Sequence, residues 1–192
     1  PDLIYLPERA FDEDAFIRDV EELLKQKSGI VVVASEGLHD AQGNPVVKPI
    51  FKTERATYFG DVSSHLANLV IDRLGYKARG EKPGLLGRAS IAWQSPVDRD
   101  EAILAGEMAC EAAIRGESGK MVAFRRVSDE PYQMTPFLVD IDEVMMYERT
   151  MPDEFINARG NGVTDAFLKW CRPLIGEPLP DMISFNRMSG RK

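Results

Sequence analysis

The sequence has little cysteine and little histidine. Two cysteines, Cys110 and Cys171, and two histidines, His39 and His65, occur among its 192 residues. So few thiols exclude a disulfide scaffold and indicate a reducing, cytoplasmic compartment, and the apolar helical patterns around both cysteines predict buried, inert side chains. No Ser-His-Asp arrangement can be argued from two histidines, and no metal-binding residue is predicted in this chain.

The sequence also lacks long apolar runs and an excess of positive charge. No run approaches the roughly 18 apolar residues of a membrane span, and no segment has the pattern of a secretory leader, so we expect no membrane association. The 24 Lys and Arg residues against 31 Asp and Glu give a net charge of −7. Because such a field repels polyanions, no nucleic-acid partner is expected, although a local basic patch can still hold a small anion.

The composition that remains is that of a globular protein, with 44% apolar and 29% charged residues. A chain of this length can bury a sizeable core without disulfides or a metal. We predict one domain over residues 1–177 and a peripheral C-terminal tail over residues 178–192. Because the chain begins at Pro1 rather than at a methionine, we expect it to be part of a longer protein.

Hydrophobic periodicity alternates between helix and strand along the chain. Apolar spacing of the helical kind covers residues 12–27, 61–74, 99–115 and 163–170. Strands are predicted over residues 2–6, 30–35, 76–81, 120–126 and 137–140, whereas residues 38–60 and 82–90 are expected to be irregular. The strand at 30–35 is apolar on both faces, as in a covered parallel sheet. The alternation predicts an α/β fold, a three-layer sandwich with a largely parallel sheet.

A first candidate binding residue, Glu36, follows this buried strand directly and precedes Gly37. Ligands of open α/β sheets collect at the carboxyl ends of strands, and a carboxylate there can accept hydrogen bonds from hydroxyl groups. An ordinary solvated strand end is the alternative interpretation.

Two arginines, Arg79 and Arg88, flank a loop that contains Pro83 and Gly84. Their guanidinium groups could bind a phosphate through two parallel hydrogen bonds each, which a lysine cannot do. Residues 72–88 contain five basic and two acidic side chains, a local balance of +3 in an acidic chain. The alternative is a solvated basic face. No glycine-rich Gly-Lys-Ser/Thr loop follows a strand, so no self-contained nucleotide cradle is visible.

Several segments match one known family in both order and spacing. They are Leu6-Pro7-Glu8, residues 31–37, the interval from Arg79 to Arg88, residues 98–116, residues 162–167 and residues 172–176. On these segments nearly the whole chain resembles the C-terminal half of the phosphofructokinases, which phosphorylate fructose 6-phosphate on its 1-hydroxyl. Within the family, these segments resemble the long bacterial members, which often use pyrophosphate.

The resemblance implies substrate-binding roles for three residues. Glu36 would hydrogen-bond sugar hydroxyls, Arg88 would bind the 6-phosphate, and Arg79 would reach the 6-phosphate site of a neighbouring subunit. The protein would therefore be at least a homodimer. One position departs from the family pattern: Leu85 stands where members usually have a histidine or tyrosine, and a leucine cannot donate that hydrogen bond.

The resemblance also implies what this chain does not contain. The family's phosphate-donor loop, its Gly-Gly-Asp magnesium motif and its Thr-Ile-Asp catalytic base belong to the N-terminal half and do not occur here. We therefore expect no catalytic residue in this chain, with magnesium and the donor, pyrophosphate or ATP, bound by the other half. Two alternatives remain open: a stand-alone sensor of phosphorylated sugars, and a structural half with an inactive site.

Overall fold

The structure, a computed structural model, describes residues 1–53, 57–146 and 148–178 of the chain. Its strands are β1 (Leu3–Tyr5), β2 (Val32–Ala34), β3 (Pro49–Lys52), β4 (Thr57–Phe59), β5 (Lys120–Asp129) and β6 (Tyr132–Asp140). Its α-helices are α1 (Glu13–Leu24), α2 (Val62–Leu74), α3 (Gly84–Ala89), α4 (Pro96–Ile114) and α5 (Asp165–Ile175). Helices and strands mix along the chain, which confirms the α/β class. Apart from Pro178, the predicted tail lies outside the described residues.

Fewer of the described strand pairs are parallel than the sequence predicts. Strands β1 and β2 pair in parallel, whereas β3 with β4 and β5 with β6 pair antiparallel. The expectation of a largely parallel sheet is therefore wrong for the described strands beyond the β1–β2 pair. The physical reason is the short connections: two residues join β5 to β6, and so tight a turn permits only an antiparallel hairpin.

The chain divides into two compact units. The first comprises Pro1–Ser90 and Glu148–Leu168, and the second comprises Ile91–Tyr147 and Lys169–Lys192, of which residues 91–146 and 169–178 are described. The main cluster of buried side chains lies in the first unit and consists of Leu3, Tyr5, Phe11, Phe16, Ile17, Val20, Leu38, Val47, Val62, Leu66 and Val70. In the described part of the second unit, Ala112 is the one buried hydrophobic residue. All three predicted binding residues belong to the first unit.

Helices α1 and α2 form where local signals predict them. The Asp12 side chain accepts a hydrogen bond from the Ala15 amide (2.8 Å), and Asp61 caps α2 in the same way through the Ser63 amide (2.9 Å). Hydrogen bonds from Ser63 and Ser64 hold the pKa of Asp61 below its usual range. Gly75 is the C-cap of α2 and adopts the left-handed conformation (φ 70°), where a residue without a Cβ is favoured.

Three other segments differ from the sequence-based expectation. Residues 38–60, expected to be irregular, contain the β3–β4 hairpin. Residues 76–81 are not a strand, because in the described structure the segment pairs with no other strand. Residues 84–89 form α3 rather than a loop. Pro83 is its N-cap, and a proline is tolerated at the beginning of a helix because the first backbone amides have no hydrogen-bond partner within the helix.

Contacts with the part of α5 that belongs to the second unit hold this unit together. The Arg126 guanidinium carbon lies 4.8 Å from the centre of the Tyr132 ring and 5.0 Å from that of the Trp170 ring. The Ser95 hydroxyl, which caps α4, donates a 2.6 Å hydrogen bond to the Leu174 carbonyl. Ser95 is thus the N-cap of α4.

Neither cysteine is in the buried setting that the sequence predicts. Cys110 is exposed on α4 and Cys171 is half-buried on α5, and both are free thiols. The expectation fails on α4 because the only buried residue of that helix is Ala112, so its apolar residues do not share one covered face. Within the described residues, no helix is both long enough and apolar enough to span a bilayer.

A buried carboxylate joins three parts of the first unit. Asp19 on α1 accepts hydrogen bonds from the Tyr5 hydroxyl on β1 (2.9 Å) and the Asn161 side-chain amide (2.6 Å), and it forms an ion pair with Arg159. Asp19 and Asn161 are each only 8% exposed. Because a buried carboxylate is costly unless donors surround it, this network fixes the turn at residues 157–161 against β1 and α1.

We expect the hydrogen bond from Tyr5 to give the protein a specific alkaline sensitivity. Burial, together with the hydrogen bond to Asp19, raises the pKa of Tyr5 well above its ordinary value. The unfolded chain loses this proton near pH 10, so the stabilisation is complete below about pH 10 and is lost as the pH rises further. Tyr5→Phe should lower the free energy of unfolding by about 1 kcal/mol at pH 7 and flatten its fall above pH 10.

Urea denaturation across pH 7–11 measures this effect, and Tyr132→Phe is the matched control. Tyr132 also donates to a carboxylate, Glu101, but it is less buried than Tyr5. A Tyr5→Phe protein that loses stability above pH 10 as steeply as the parent would refute the role given to this hydroxyl.

Candidate functional site

Glu36 lies in the turn that follows β2, at the edge where both parallel strands end. Because Tyr5 is in register with Ala34, the turn after β1 and the turn after β2 leave the sheet side by side. A Cβ placed on Gly37 would lie 3.4 Å from the Pro7 Cβ, which shows that the two turns are in contact. The Glu36 side chain is 83% exposed, so its carboxylate is available to a ligand at this edge.

The basic segment between α2 and α3 reaches the same carboxylate. The Lys82 ammonium nitrogen lies 3.8 Å from a Glu36 carboxylate oxygen, and the Lys82 side chain is itself 62% exposed. Lys82 lies between Arg79 and Arg88 in the sequence. The ion pair therefore connects the two features that sequence reasoning could only treat separately, the carboxylate after β2 and the arginine segment.

Arg79 is held in place by its neighbour Gly80. A Cβ on Gly80 would lie 2.5–2.7 Å from backbone atoms of Ser63 and Ser64 in the first turn of α2. Such distances leave no room for any side chain, so the close approach requires glycine at this position. The segment after α2 is thus packed against the beginning of that helix, and the exposed side chain of Arg79 extends from a fixed point of the backbone.

Arg88 is carried by the last turn of α3. Leu85 lies three residues before it, and positions i and i+3 of a helix share one face. Leu85 is 78% exposed, so the helix face that carries Arg88 also carries an apolar side chain where the family pattern has a hydrogen-bonding one. The departure at Leu85 is therefore a real feature of the surface around Arg88.

The two arginines are available for an anion. Among the described residues, neither the Arg79 nor the Arg88 side chain makes a hydrogen bond or an ion pair, and both residues are exposed. A guanidinium group without a carboxylate partner keeps its full hydrogen-bonding capacity for a phosphate. The structure brings Glu36 and the segment 79–88 together through Lys82, but within the described ranges no hydrogen bond or ion pair joins Glu36 directly to either arginine.

Sequence reasoning missed two residues of this region. The sequence pattern identifies Lys82 only as one charge of a basic run and gives no indication that Gly80 is closely packed. The signal for Lys82 was its place between two candidate phosphate ligands, but its partner Glu36 is 46 positions earlier and no local pattern points to it. For Gly80 the signal was a glycine directly after a candidate ligand.

The described part of the chain offers no set of metal ligands. No group of three or more His, Cys, Asp or Glu side chains lies close enough together there to hold a metal ion. The Asp140 carboxylate pairs with the Lys120 ammonium group at 2.6 Å. The described residues therefore do not fit Mg²⁺, which the family resemblance assigns to the other half of the enzyme.

The chain is similar in sequence to several curated phosphotransferases and kinases. No family model matches it. The chain is 38% identical over 192 residues to a pyrophosphate--fructose 6-phosphate 1-phosphotransferase from Rhodospirillum rubrum, covering 94% of this chain and 46% of that enzyme. It is 30% identical to a sulfofructose kinase from Alkalicoccus urumqiensis and 32% identical to an ATP-dependent 6-phosphofructokinase from Streptomyces coelicolor, covering 45% and 43% of those proteins.

Solved structures agree with the sequence matches. The pyrophosphate-dependent phosphofructokinase of Nitrosospira multiformis superimposes with a TM-score of 0.76 at 30% identity, over 95% of this chain and 43% of that one. The corresponding enzyme of Marinobacter aquaeolei gives 0.75 at 28% identity. The chain spans about half the length of the curated relatives it matches. Sequence and fold lead to one conclusion: the chain belongs to the phosphofructokinase family.

Proposed function

We propose that the chain is the C-terminal, fructose 6-phosphate-binding half of a 6-phosphofructokinase. The complete enzyme would transfer a phosphoryl group from pyrophosphate, or from ATP, to the 1-hydroxyl of the sugar phosphate. The observation that carries the proposal is the ion pair between Glu36 and Lys82, because it joins the carboxylate at the strand end to the segment bearing both arginines. These are the two parts that a sugar phosphate needs, one for hydroxyls and one for phosphate.

The proposed residues act by binding and orientation. The Arg88 guanidinium group would hold the 6-phosphate, and Arg79 would contribute to the phosphate site of a neighbouring subunit. Glu36 would accept hydrogen bonds from hydroxyls along the sugar. Held in this way, the sugar presents its 1-hydroxyl at the end opposite the phosphate, which is the arrangement that transfer from an in-line donor requires.

The remaining parts of the reaction belong to protein outside this chain in the proposal. Mg²⁺ and the donor would be bound by the other half of the enzyme, and at least a homodimer would form. The exposed apolar side chains of Ile91, Trp93 and Ile114 support the proposal that this chain packs against other protein. Pyrophosphate is favoured as donor because several of the most similar relatives are named for it. We expect the enzyme to be cytoplasmic.

An assay of the intact protein with fructose 6-phosphate and Mg²⁺ tests the proposal. We expect fructose 1,6-bisphosphate to form with pyrophosphate, or with ATP, as the donor. A stand-alone sensor would instead bind fructose 6-phosphate in calorimetry without turnover on either donor. Absence of both binding and turnover would contradict the proposal and leave a structural half with an inactive site.

A further inference from the structure

The Lys82 side chain has a defined partner, but the function proposed above assigns it no contact with the sugar phosphate. Its ammonium group forms an ion pair with the Glu36 carboxylate, and both side chains are exposed. Exposed ion pairs contribute little to stability, because solvent screens them and both side chains lose rotamer freedom. The stability of the fold therefore does not explain a lysine at this position. The location of its partner, Glu36, at the candidate site does explain it.

We propose that Lys82 is a positioning residue for Glu36 that sets how strictly the site discriminates among sugar hydroxyls. The inference rests on the proposed function, in which Glu36 contacts those hydroxyls. It adds a specificity-determining residue to the same site and divides the site into two parts. Lys82 and Glu36 select the sugar, whereas Arg79 and Arg88 bind its phosphate.

The geometry around Glu36 supports a need for positioning. A glutamate side chain has three rotatable bonds, and Glu36 is 83% exposed. Among the described residues, Lys82 is the one side chain that pairs with its carboxylate. Without that partner the carboxylate is free to sample many orientations, and each sugar hydroxyl that it binds must then restrict this freedom at a cost in affinity.

Lys82 can restrict Glu36 because its own backbone is held from both sides. Gly80 is packed on the first turn of α2, two residues earlier, and Pro83 follows directly as the N-cap of α3. Proline fixes its own backbone and restricts that of the residue before it, which here is Lys82. The ammonium group therefore approaches Glu36 from a constrained stretch of chain rather than from a flexible loop.

Affinity for two probes, fructose 6-phosphate and inorganic phosphate, tests the inference in the intact protein. Lys82→Met should weaken fructose 6-phosphate binding about three- to fivefold, near the upper end of what one exposed ion pair contributes, and leave the binding of inorganic phosphate unchanged relative to the control. Lys77→Met is the matched control, because it removes the same charge from the same exposed segment, and in the described structure Lys77 has no ion pair. Lys82→Arg should restore most of the affinity. In an enzyme that turns over, KM should rise while kcat changes little.

Two results separate this inference from the proposed function. If Arg88→Ala leaves fructose 6-phosphate binding intact, the proposed function fails and the role of Lys82 fails with it. If Arg88→Ala abolishes binding but Lys82→Met behaves like Lys77→Met, only the role of Lys82 is overturned. The effect of Lys82→Met must also disappear in a Glu36→Gln background, and a loss of the same size in that background would contradict positioning through Glu36.

Discussion

Replacing Arg88 by alanine is expected to weaken fructose 6-phosphate binding by about a hundredfold. The guanidinium group is exposed and has no ion pair in the part of the chain that is described, so its removal costs the free protein little. In the complex, however, the 6-phosphate would lose two charge-assisted hydrogen bonds in one plane. Calorimetry on the intact protein measures the change, and thermal unfolding should show almost none.

Arg88→Lys distinguishes the shape of the guanidinium group from its charge. A lysine keeps the positive charge but cannot form two parallel hydrogen bonds, so we expect it to recover only part of the lost affinity. Lys77→Ala, in the same basic segment, should change the affinity less than either variant. An Arg88→Ala protein that binds fructose 6-phosphate as tightly as the parent would refute the phosphate-binding role.

Gly80→Ala is expected to have the second large effect, on both stability and the site. The new methyl group would lie 2.5 Å from the Ser63 carbonyl carbon and 2.6 Å from the Ser64 nitrogen, and neither backbone atom can move without disturbing α2. Overpacking of this kind costs about 1–3 kcal/mol, and the segment that carries Arg79 and Lys82 must shift away from α2. Displacing binding groups by about 1 Å can lower kcat/KM about a hundredfold.

Gly106→Ala is the matched control for this variant. Gly106 lies inside α4, and a Cβ there would meet nothing within 4 Å. Since alanine favours a helix interior over glycine, this change should stabilise the protein by about 0.5–1 kcal/mol and leave the site unchanged. The close packing of Gly80 would be disproved if both variants had the same stability and the same affinity for fructose 6-phosphate.

The best-predicted element, α2, shows what sequence reasoning could achieve. Its apolar residues recur at helical spacing, Asp61 precedes it as a capping residue, and Gly75 ends it. All of these are local signals, and local signals are sufficient where one helix packs a single apolar face onto a core. The same reasoning located α1 and the strands β1 and β2.

The segments on either side of the site were the hardest to predict, because nonlocal contacts decide them. Residues 76–81 have the composition of a strand, but Gly80 packs on a helix instead of pairing with a neighbouring strand. Residues 84–89 contain two glycines, which favour a loop, yet they form the helix that carries Arg88. The hairpin at β3 and β4 lacks simple alternation, since its register shifts between Pro49 and Phe51.

The candidate site was predictable in its residue types but not in its connections. A carboxylate at a strand end and two arginines around a Pro-Gly pair carry recognisable chemistry in the sequence itself. That Lys82 joins them depends on how a segment folds back beside β2, and no spacing within the segment encodes that contact. Leu85, by contrast, is recognisable from the sequence alone as a departure from the family pattern.

A crystal structure of the intact protein with fructose 6-phosphate tests the central claim most directly. We expect the 6-phosphate oxygens within about 3 Å of the Arg88 guanidinium nitrogens, and the sugar hydroxyls hydrogen-bonded to the Glu36 carboxylate. A sugar phosphate bound elsewhere, with Arg88 and Glu36 both facing solvent, would contradict the account.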